Sequence, residues 1–362
     1  MQLKRFRHIV GWCLGFSLGT GICWGQVHEM QAHGQWGYVL PHRAEMNALV
    51  TGHSWGFGVE RGNWGVEGWR ADWCGSGAVW QGMEWSLLHA GSPEMGLIFS
   101  GLWKVKLPIV AGVNGELGTG LGWAVAPYDL EKRPLNFALG THGNAGLHLG
   151  LSWRCWKGKQ AAAVLSGGLT HFSNGAVAMP NLGINNFFVR LALVNQSNQP
   201  STNSVSNELA TVPDEPSWSA RVSLRTGTRD VNLPGGPRHA LTSATWSLQR
   251  HFSARWSGVT AVEATYNQSL REASPVPLSA LDRLQWANQV GVALHFGRVT
   301  LLMLQGWVWV HPDNALGRRH LMATLNYRMN PTWSLDLALR SFQLRADYAA
   351  LGVTRRFGKG EP

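Results

Sequence analysis

Residues 217–228, SWSARVSLRTGT, alternate between apolar and polar side chains at every second position. Successive side chains of a β-strand point to opposite faces of a sheet, so this period of two predicts a strand with one apolar and one polar face. Residues 332–343 alternate in the same way. In the first stretch the apolar row is Trp218, Ala220, Val222 and Leu224, and the polar row is Ser217, Ser219, Arg221, Ser223 and Arg225.

Similar stretches recur along the whole chain, separated by turn-like segments such as residues 234–237. Strands of about ten alternating residues joined by turns are typical of transmembrane β-barrels, whose closed sheet leaves no unpaired edge in lipid. We therefore predict an all-β fold, an antiparallel transmembrane β-barrel of the outer membrane with roughly 14–16 strands. The further stretches are 52–61, 80–89, 96–107, 117–127, 146–157, 160–173, 184–195, 241–252, 257–269, 286–296, 299–310, 319–329 and 347–357.

The composition agrees with a barrel. Only 14% of the 362 residues are charged, and the chain has 44 Gly and 20 Trp. Low charge with many aromatic residues excludes a disordered chain, and abundant Gly disfavours a helical bundle. A soluble exported β-sandwich is the alternative, but the long strands and the many Trp disfavour it. Several Trp lie near predicted strand ends, where interfacial girdles form: Trp218, Trp246, Trp256, Trp286, Trp307, Trp309 and Trp333.

The first 25 residues have the layout of a secretory signal peptide. Lys4, Arg5 and Arg7 precede an uncharged stretch from Ile9 to Trp24, and the small Gly25 offers a cleavage point. An uncleaved membrane anchor is the alternative, but the stretch is short for a membrane span. We predict a signal peptide at 1–25, barrel strands at 26–195, a polar loop at 196–216 and additional barrel strands at 217–362. The additional strands either enlarge the barrel or have a separate role.

The cysteines and the charge narrow the classes of partner. Cys74 and Cys155 remain after signal cleavage, an even pair that allows a disulfide without requiring one. Two cysteines without clustered histidines do not make a zinc site. We expect no metal and no cofactor, because the candidate site described below implies neither. The net charge is +10, but the charged residues alternate along strands instead of forming one patch. We therefore expect no nucleic-acid partner.

One predicted hairpin, residues 160–196, carries a polar group that the barrel pattern does not require. Arg190 is costly against lipid, so its side of the second strand should face the lumen. Asn185 then points outward. His171 and Ser173 share the outward row of the preceding strand, so the three side chains can meet near the loop of the hairpin.

This group suits ester chemistry. An imidazole near a hydroxyl can act as general base for a serine nucleophile. The Asn185 amide can orient the imidazole, and the Asn174 amide can donate to an oxyanion. On spacing alone the catalytic interpretation is weak, because His-x-Ser is common by chance, and two polar residues at the membrane–water boundary explain His171 and Ser173 more simply.

The sequence of this hairpin resembles a known family. His171-Phe172-Ser173-Asn174, followed by Pro180-Asn181-Leu182-Gly183-Ile184, resembles the signature of the outer-membrane lipid A 3-O-deacylases, PagL-like proteins also called acyloxyacyl hydrolases. The stretch from Gly122 to Tyr128, Asn136 and residues 138–144 resemble longer members of that family. The resemblance covers residues 50–195 and is sharpest at 115–190.

The resemblance implies a hydrolase that removes an ester-linked acyl chain from lipid A of lipopolysaccharide, without a cofactor. It implies an outer-membrane location in a Gram-negative bacterium and lipid A of the outer leaflet as partner. Carried over, His171 is the base, Ser173 the nucleophile and Asn174 the oxyanion donor. Three further residues support the motif: Pro180, Asn181 and Gly183.

Asn185 departs from the family pattern, which has a glutamate at this position. A neutral amide can orient His171 but stabilises an imidazolium less than a carboxylate does. A non-enzymatic barrel, either a pore or a structural protein on the same scaffold, is therefore the alternative function. A phospholipase with the same Ser-His pair is a third, less favoured hypothesis. The sequence leaves a homo-oligomer open.

Overall fold

The structure, a computed structural model, describes residues 27–74, 77–195, 218–230, 234, 236–273, 277–310, 317–342 and 345–358. The predicted signal peptide at 1–25 and the predicted polar loop at 196–216 lie outside these residues. Sixteen antiparallel strands lie within them. The predictions of an all-β antiparallel barrel fold and of the strand number are confirmed.

The strands close into two separate barrels of eight rather than one large barrel. In the first barrel β8 returns to pair with β1, and in the second β16 returns to pair with β9. The first barrel consists of β1 (Val27–Val39), β2 (Ser54–Gly65), β3 (Val79–His89), β4 (Leu97–Val110), β5 (Val113–Ala124), β6 (Gly143–Lys157), β7 (Ala161–Ser173) and β8 (Ile184–Asn195). The predicted additional strands therefore form a second barrel and do not enlarge the first.

The second barrel consists of β9 (Trp218–Asp230), β10 (Arg238–His251), β11 (Trp256–Asn267), β12 (Leu284–Phe296), β13 (Val299–Val310), β14 (Arg319–Arg328), β15 (Trp333–Phe342) and β16 (Arg345–Phe357). The connecting segments contain short 3₁₀ helices at Ala44–Met46, Gly68–Trp73 and Leu281–Arg283, and one α-helical turn at Leu270–Ala273. None of the described helices is both long and apolar enough to cross a membrane.

In both barrels the exposed outward rows are largely apolar, and the charged side chains of the strands are largely buried in the lumen. On β8 the exposed row is Phe187, Val189, Leu191 and Leu193, whereas Asn186 and Arg190 are buried in the lumen. The orientation predicted from Arg190 is thus the observed one. An apolar exterior around a polar interior is the arrangement of a barrel whose walls face lipid.

Ion pairs fill the lumen of the first barrel. The Lys104 ammonium lies 2.6 Å from Glu60, 2.9 Å from Glu84 and 3.0 Å from Glu116, and Arg190 lies 2.9 Å from Glu84. In the second barrel, Arg340 and Asp347 form a similar buried pair at 2.7 Å. Side chains just fill the interior of an eight-stranded barrel, so each barrel has its own packed interior.

Contacts between the barrels define their mutual orientation. We call the end of each barrel where β7 and β9 finish the distal end, and the other the proximal end. At the distal end, the Asp230 amide donates to the carbonyl of Ala176 at 3.1 Å. At the proximal end, the Trp73 indole donates to the carbonyl of His295 at 2.8 Å and stacks on Phe296. The barrels therefore lie side by side with matching ends.

Candidate functional site

The β7–β8 hairpin brings His171 opposite Asn185 at the distal end. Both side chains project from the outward face of the barrel, as the alternation predicts. The Asn185 Oδ1 atom accepts a hydrogen bond from His171 Nδ1 at 2.6 Å. This contact assigns the ring proton to Nδ1 and leaves Nε2 with its lone pair, the form required of a general base. His171 Nε2 makes no hydrogen bond within the part of the chain that the structure describes.

His42 extends this chain of hydrogen bonds. It lies in the segment between β1 and β2, and its Nδ1 accepts a hydrogen bond from Asn185 Nδ2 at 3.0 Å. Its Nε2 lies 3.0 Å from the carbonyl of Leu182, to which it donates. His42 therefore fixes which way the Asn185 amide points. The sequence gives no sign of this role, because His42 is a lone histidine that lies far from the hairpin in the chain.

Ser173 faces Asn181 rather than His171. The Ser173 Oγ atom lies 2.9 Å from Asn181 Nδ2 and 3.2 Å from Asn181 Oδ1. It also accepts a hydrogen bond from the amide of Gly175 at 3.2 Å. No hydrogen bond joins Ser173 to His171 among the described residues. The predicted group is thus brought to one place, but the base and the hydroxyl are not hydrogen-bonded.

The Asn174 side chain is directed into the loop between β7 and β8. Its Nδ2 donates to the carbonyl of Ala178 at 2.8 Å, while its backbone amide donates to Asn181 Oδ1 at 3.1 Å. Asn174 Oδ1 is buried without a hydrogen bond from any described group. One Nδ2 hydrogen thus holds the loop, which leaves the second for another acceptor.

Gly183 creates the space beside the imidazole. Its φ is +79°, a left-handed conformation that costs other residues about 1–2 kcal/mol. A Cβ atom there would lie 2.9 Å from His171 Cε1, closer than side chains tolerate. Glycine is therefore needed at this motif position both for the turn and for the ring. Pro180, another of the three motif-supporting residues, follows Met179 through a cis peptide bond.

The loop that carries these groups is tied to the neighbouring segment between β5 and β6. The amides of Leu182 and Gly183 donate to the carbonyls of Phe137 and Ala138 at 3.2 and 2.9 Å. Asn136 in turn donates to the carbonyl of Ala126 at 2.6 Å. An apolar cluster packs beneath both segments and holds them on the barrel; it includes Val39, Met46, Leu49, Ile98, Leu139, Phe172 and Ile184.

The Cys74–Cys155 disulfide that the sequence allows is not formed, because both cysteines are free. Cys74 follows the 3₁₀ helix between β2 and β3, where burial raises the pKa of its thiol. Cys155 is exposed on the outward side of β6. The strands β3, β4 and β5 separate the two positions around the barrel, so the thiols cannot meet. Among the described residues, no group of three His, Cys, Asp or Glu side chains is placed to hold a metal ion.

Comparison with known proteins gives one specific match. Residues 50–194 match the family model of the lipid A 3-O-deacylases (PagL). No curated protein matches the sequence. Solved structures similar to the chain include a triple mutant of a Rhodopseudomonas blastica porin, at 10% identity and a TM-score of 0.19, covering 91% of this chain and 100% of the porin. CdiB from Acinetobacter baumannii is similar at 10% identity and a TM-score of 0.19, covering 91% of this chain and 60% of CdiB.

Proposed function

From the match of residues 50–194 to the PagL family, which makes the first barrel PagL-like, we propose that this chain is an outer-membrane esterase that removes an ester-linked acyl chain from lipid A. The observation that carries the proposal is the hydrogen bond between His171 and Asn185, which leaves the ring Nε2 as a base on the outward face. The location follows the same argument: the outer membrane of a Gram-negative bacterium, reached after removal of residues 1–25.

In the proposed reaction Ser173 Oγ attacks the ester carbonyl and gives its proton to His171 Nε2. The bond between the acyl carbon and the sugar oxygen then breaks, the imidazolium gives its proton to that oxygen, which leaves as a hydroxyl, and the acyl group stays on Ser173. Water, deprotonated by His171, releases the fatty acid and restores the serine. Asn185 holds the ring in place throughout. The first step requires the Ser173 hydroxyl to turn from Asn181 towards His171, a change expected on substrate binding because catalytic hydrogen bonds often tighten only then.

The oxyanion is assigned to donors that lie beside Ser173. The Gly175 amide already points at Ser173 Oγ, and Asn174 Nδ2 retains one hydrogen after its bond to Ala178. Preorganised donors of this kind stabilise the charge that develops on the carbonyl oxygen. We therefore assign oxyanion stabilisation to Asn174 together with backbone amides of the same loop.

The outward position of the site suits a substrate that is itself a membrane lipid. Below His171 and Asn185, the outward rows of β7 and β8 continue with Leu169, Leu165, Phe187 and Val189. Acyl chains can lie on this apolar surface while the sugar headgroup stays at the distal end. Lipid A combines several acyl chains with a polar head, which is the shape that this surface favours.

A non-enzymatic barrel is the alternative, and three observations bear on it. The bonding of Ser173 to Asn181 and the neutral Asn185 favour an inactive site. The packed ion pairs in the first lumen, by contrast, disfavour a pore.

The test is release of fatty acid by the purified chain from lipopolysaccharide in detergent micelles, measured by mass spectrometry. Ser173→Ala should abolish release. Ser166→Ala, which removes a buried lumen hydroxyl on the same strand, should leave release unchanged. No release by the parent chain, or equal release by Ser173→Ala, would count against the proposal.

A further inference from the structure

The loop between β7 and β8, which follows Ser173 and carries Asn174 and Asn181, contacts the second barrel. Two of these contacts come from Asp230, the last residue of β9. Its backbone amide donates to the carbonyl of Ala176 at 3.1 Å, and its Oδ2 accepts a hydrogen bond from the amide of Met179 at 2.9 Å. Asp230 therefore holds the loop at two points, one on each side of Ala178.

The loop is pressed closely against the second barrel. Gly175 has a φ of +65°, and a Cβ atom there would lie 2.6 Å from the Cβ of Ala349 on β16. The next residue, Ala176, has a φ of +64° although it is not glycine. A residue with a side chain keeps this conformation only where its surroundings impose it. The bond from Asp230 to the Ala176 carbonyl is one such constraint.

The constrained loop residues are connected to the site by hydrogen bonds. Ala178, between the two held positions, accepts the hydrogen bond of Asn174 Nδ2. Asn181, two residues after Met179, bonds Ser173 Oγ and the Asn174 amide. A displacement of the loop at Met179 would therefore move both the serine partner and the assigned oxyanion donors.

We infer that Asp230 is a positioning residue for Ser173 and Asn174, and that the second barrel thereby completes the esterase site of the first. The effect of Asp230 on catalysis rests on the proposed function, whereas its hold on the loop does not. Asp230 does not touch the reacting atoms. It acts by holding the loop in the one conformation that presents the serine partner and the backbone amides.

The decisive variants are Asp230→Ala and Asp230→Asn. Alanine removes the acceptor for the Met179 amide, whereas an asparagine amide oxygen can still accept that bond. Asp230 Oδ1 receives no hydrogen bond from a described residue, so an NH2 group in its place displaces no partner. Asp282→Ala, an exposed aspartate between β11 and β12, is the matched control.

Two measurements on the full chain test the inference. We expect Asp230→Ala to lower kcat on lipopolysaccharide about tenfold or more, as displaced catalytic groups do, with little change in KM. We expect Asp230→Asn to restore most of kcat, and Asp282→Ala to match the parent chain. Hydrogen–deuterium exchange of residues 174–183 should quicken in Asp230→Ala while that of β9 and β16 stays unchanged, which shows an intact second barrel.

Each failure has its own pattern. If the parent chain releases fatty acid and Asp230→Ala does so at the same kcat, the inference is overturned and the function stands. If exchange of residues 174–183 is unchanged in Asp230→Ala, the inference is also overturned. If the parent chain releases nothing while Asp230→Ala loosens the loop, the proposed function fails but the hold of the second barrel on the loop is established.

Discussion

The Nδ1 atom of His171 lies 2.6 Å from the Oδ1 atom of Asn185, where the family resemblance implies a glutamate. The amide supplies the orientation that a glutamate would give, but not its charge. His42 locks this amide from the other side through Asn185 Nδ2. In the proposed mechanism the Ser-His-acid arrangement therefore lacks its negative charge. Asn185 orients His171, and His42 fixes the Asn185 amide.

Asn185→Glu should raise kcat about tenfold. A hydrogen bond to a charged acceptor stabilises by roughly 1.4 kcal/mol more than one to a neutral acceptor. Because the imidazolium forms in the transition state, that difference lowers the barrier and corresponds to a tenfold higher rate. Asn195→Glu, an exposed position at the proximal end of the same strand, adds the same charge far from His171. Steady-state fatty acid release compares the two. An unchanged or lower kcat for Asn185→Glu in a folded barrel would show that Asn185 does not act through the imidazole.

His42→Ala should lower kcat severalfold without destabilising the barrel. Once Asn185 Nδ2 loses its acceptor, the amide can turn its NH2 group towards His171, which then favours the wrong ring tautomer. His53→Ala, in the same segment, removes a ring that bonds the carbonyl of Gly37 instead. Equal kcat values for the two variants would exclude a role of His42 in fixing the amide.

Gly183→Ala tests the space beside the ring. The variant carries the left-handed strain, about 1–2 kcal/mol, and also places a methyl group 2.9 Å from His171 Cε1. Gly317→Ala has a nearly equal φ of +78° and no described atom within 4 Å of the added methyl. Both variants should melt earlier than the parent in detergent. Only Gly183→Ala should lose most of its activity, and retained activity would argue against contact with the imidazole.

Lys104→Met should destabilise the first barrel by about 3–5 kcal/mol, because it leaves buried carboxylates without their shared cation. Lys132→Met removes an exposed lysine from the segment between β5 and β6 and should have little effect. Urea unfolding of the two variants in detergent, followed by tryptophan fluorescence, gives the difference. Equal unfolding midpoints would mean that the lumen network contributes no net stability.

The strands and their faces could be predicted from the sequence because a period of two is a local property. The predicted stretch 184–195 coincides with β8, and one residue, Arg190, was enough to orient it. Closure into two barrels could not be predicted, because it depends on which distant strands pair. Pairing of β8 with β1, or instead with β9, leaves the alternation of every strand unchanged.

In the candidate site, too, only the local relationships could be predicted from the sequence. His171 and Asn185 were found because they occupy facing positions of one hairpin. The hydrogen bonds of Ser173 with Asn181, of His42 with Asn185 and of Asp230 with the β7–β8 loop depend on loops and on the second barrel. No periodic pattern in the sequence encodes those contacts.

Cleavage of an acyl ester of lipid A by Ser173 is tested best by the mass spectrum of lipid A from cells that express the chain. Lipid A from cells with the parent chain should lack one hydroxyacyl mass. Cells with Ser173→Ala, present at equal level and folded in the outer membrane, should retain that mass. Lipid A of unchanged mass in cells with the folded parent chain, or the same loss with Ser173→Ala, would mean that Ser173 is not the nucleophile of a lipid A esterase.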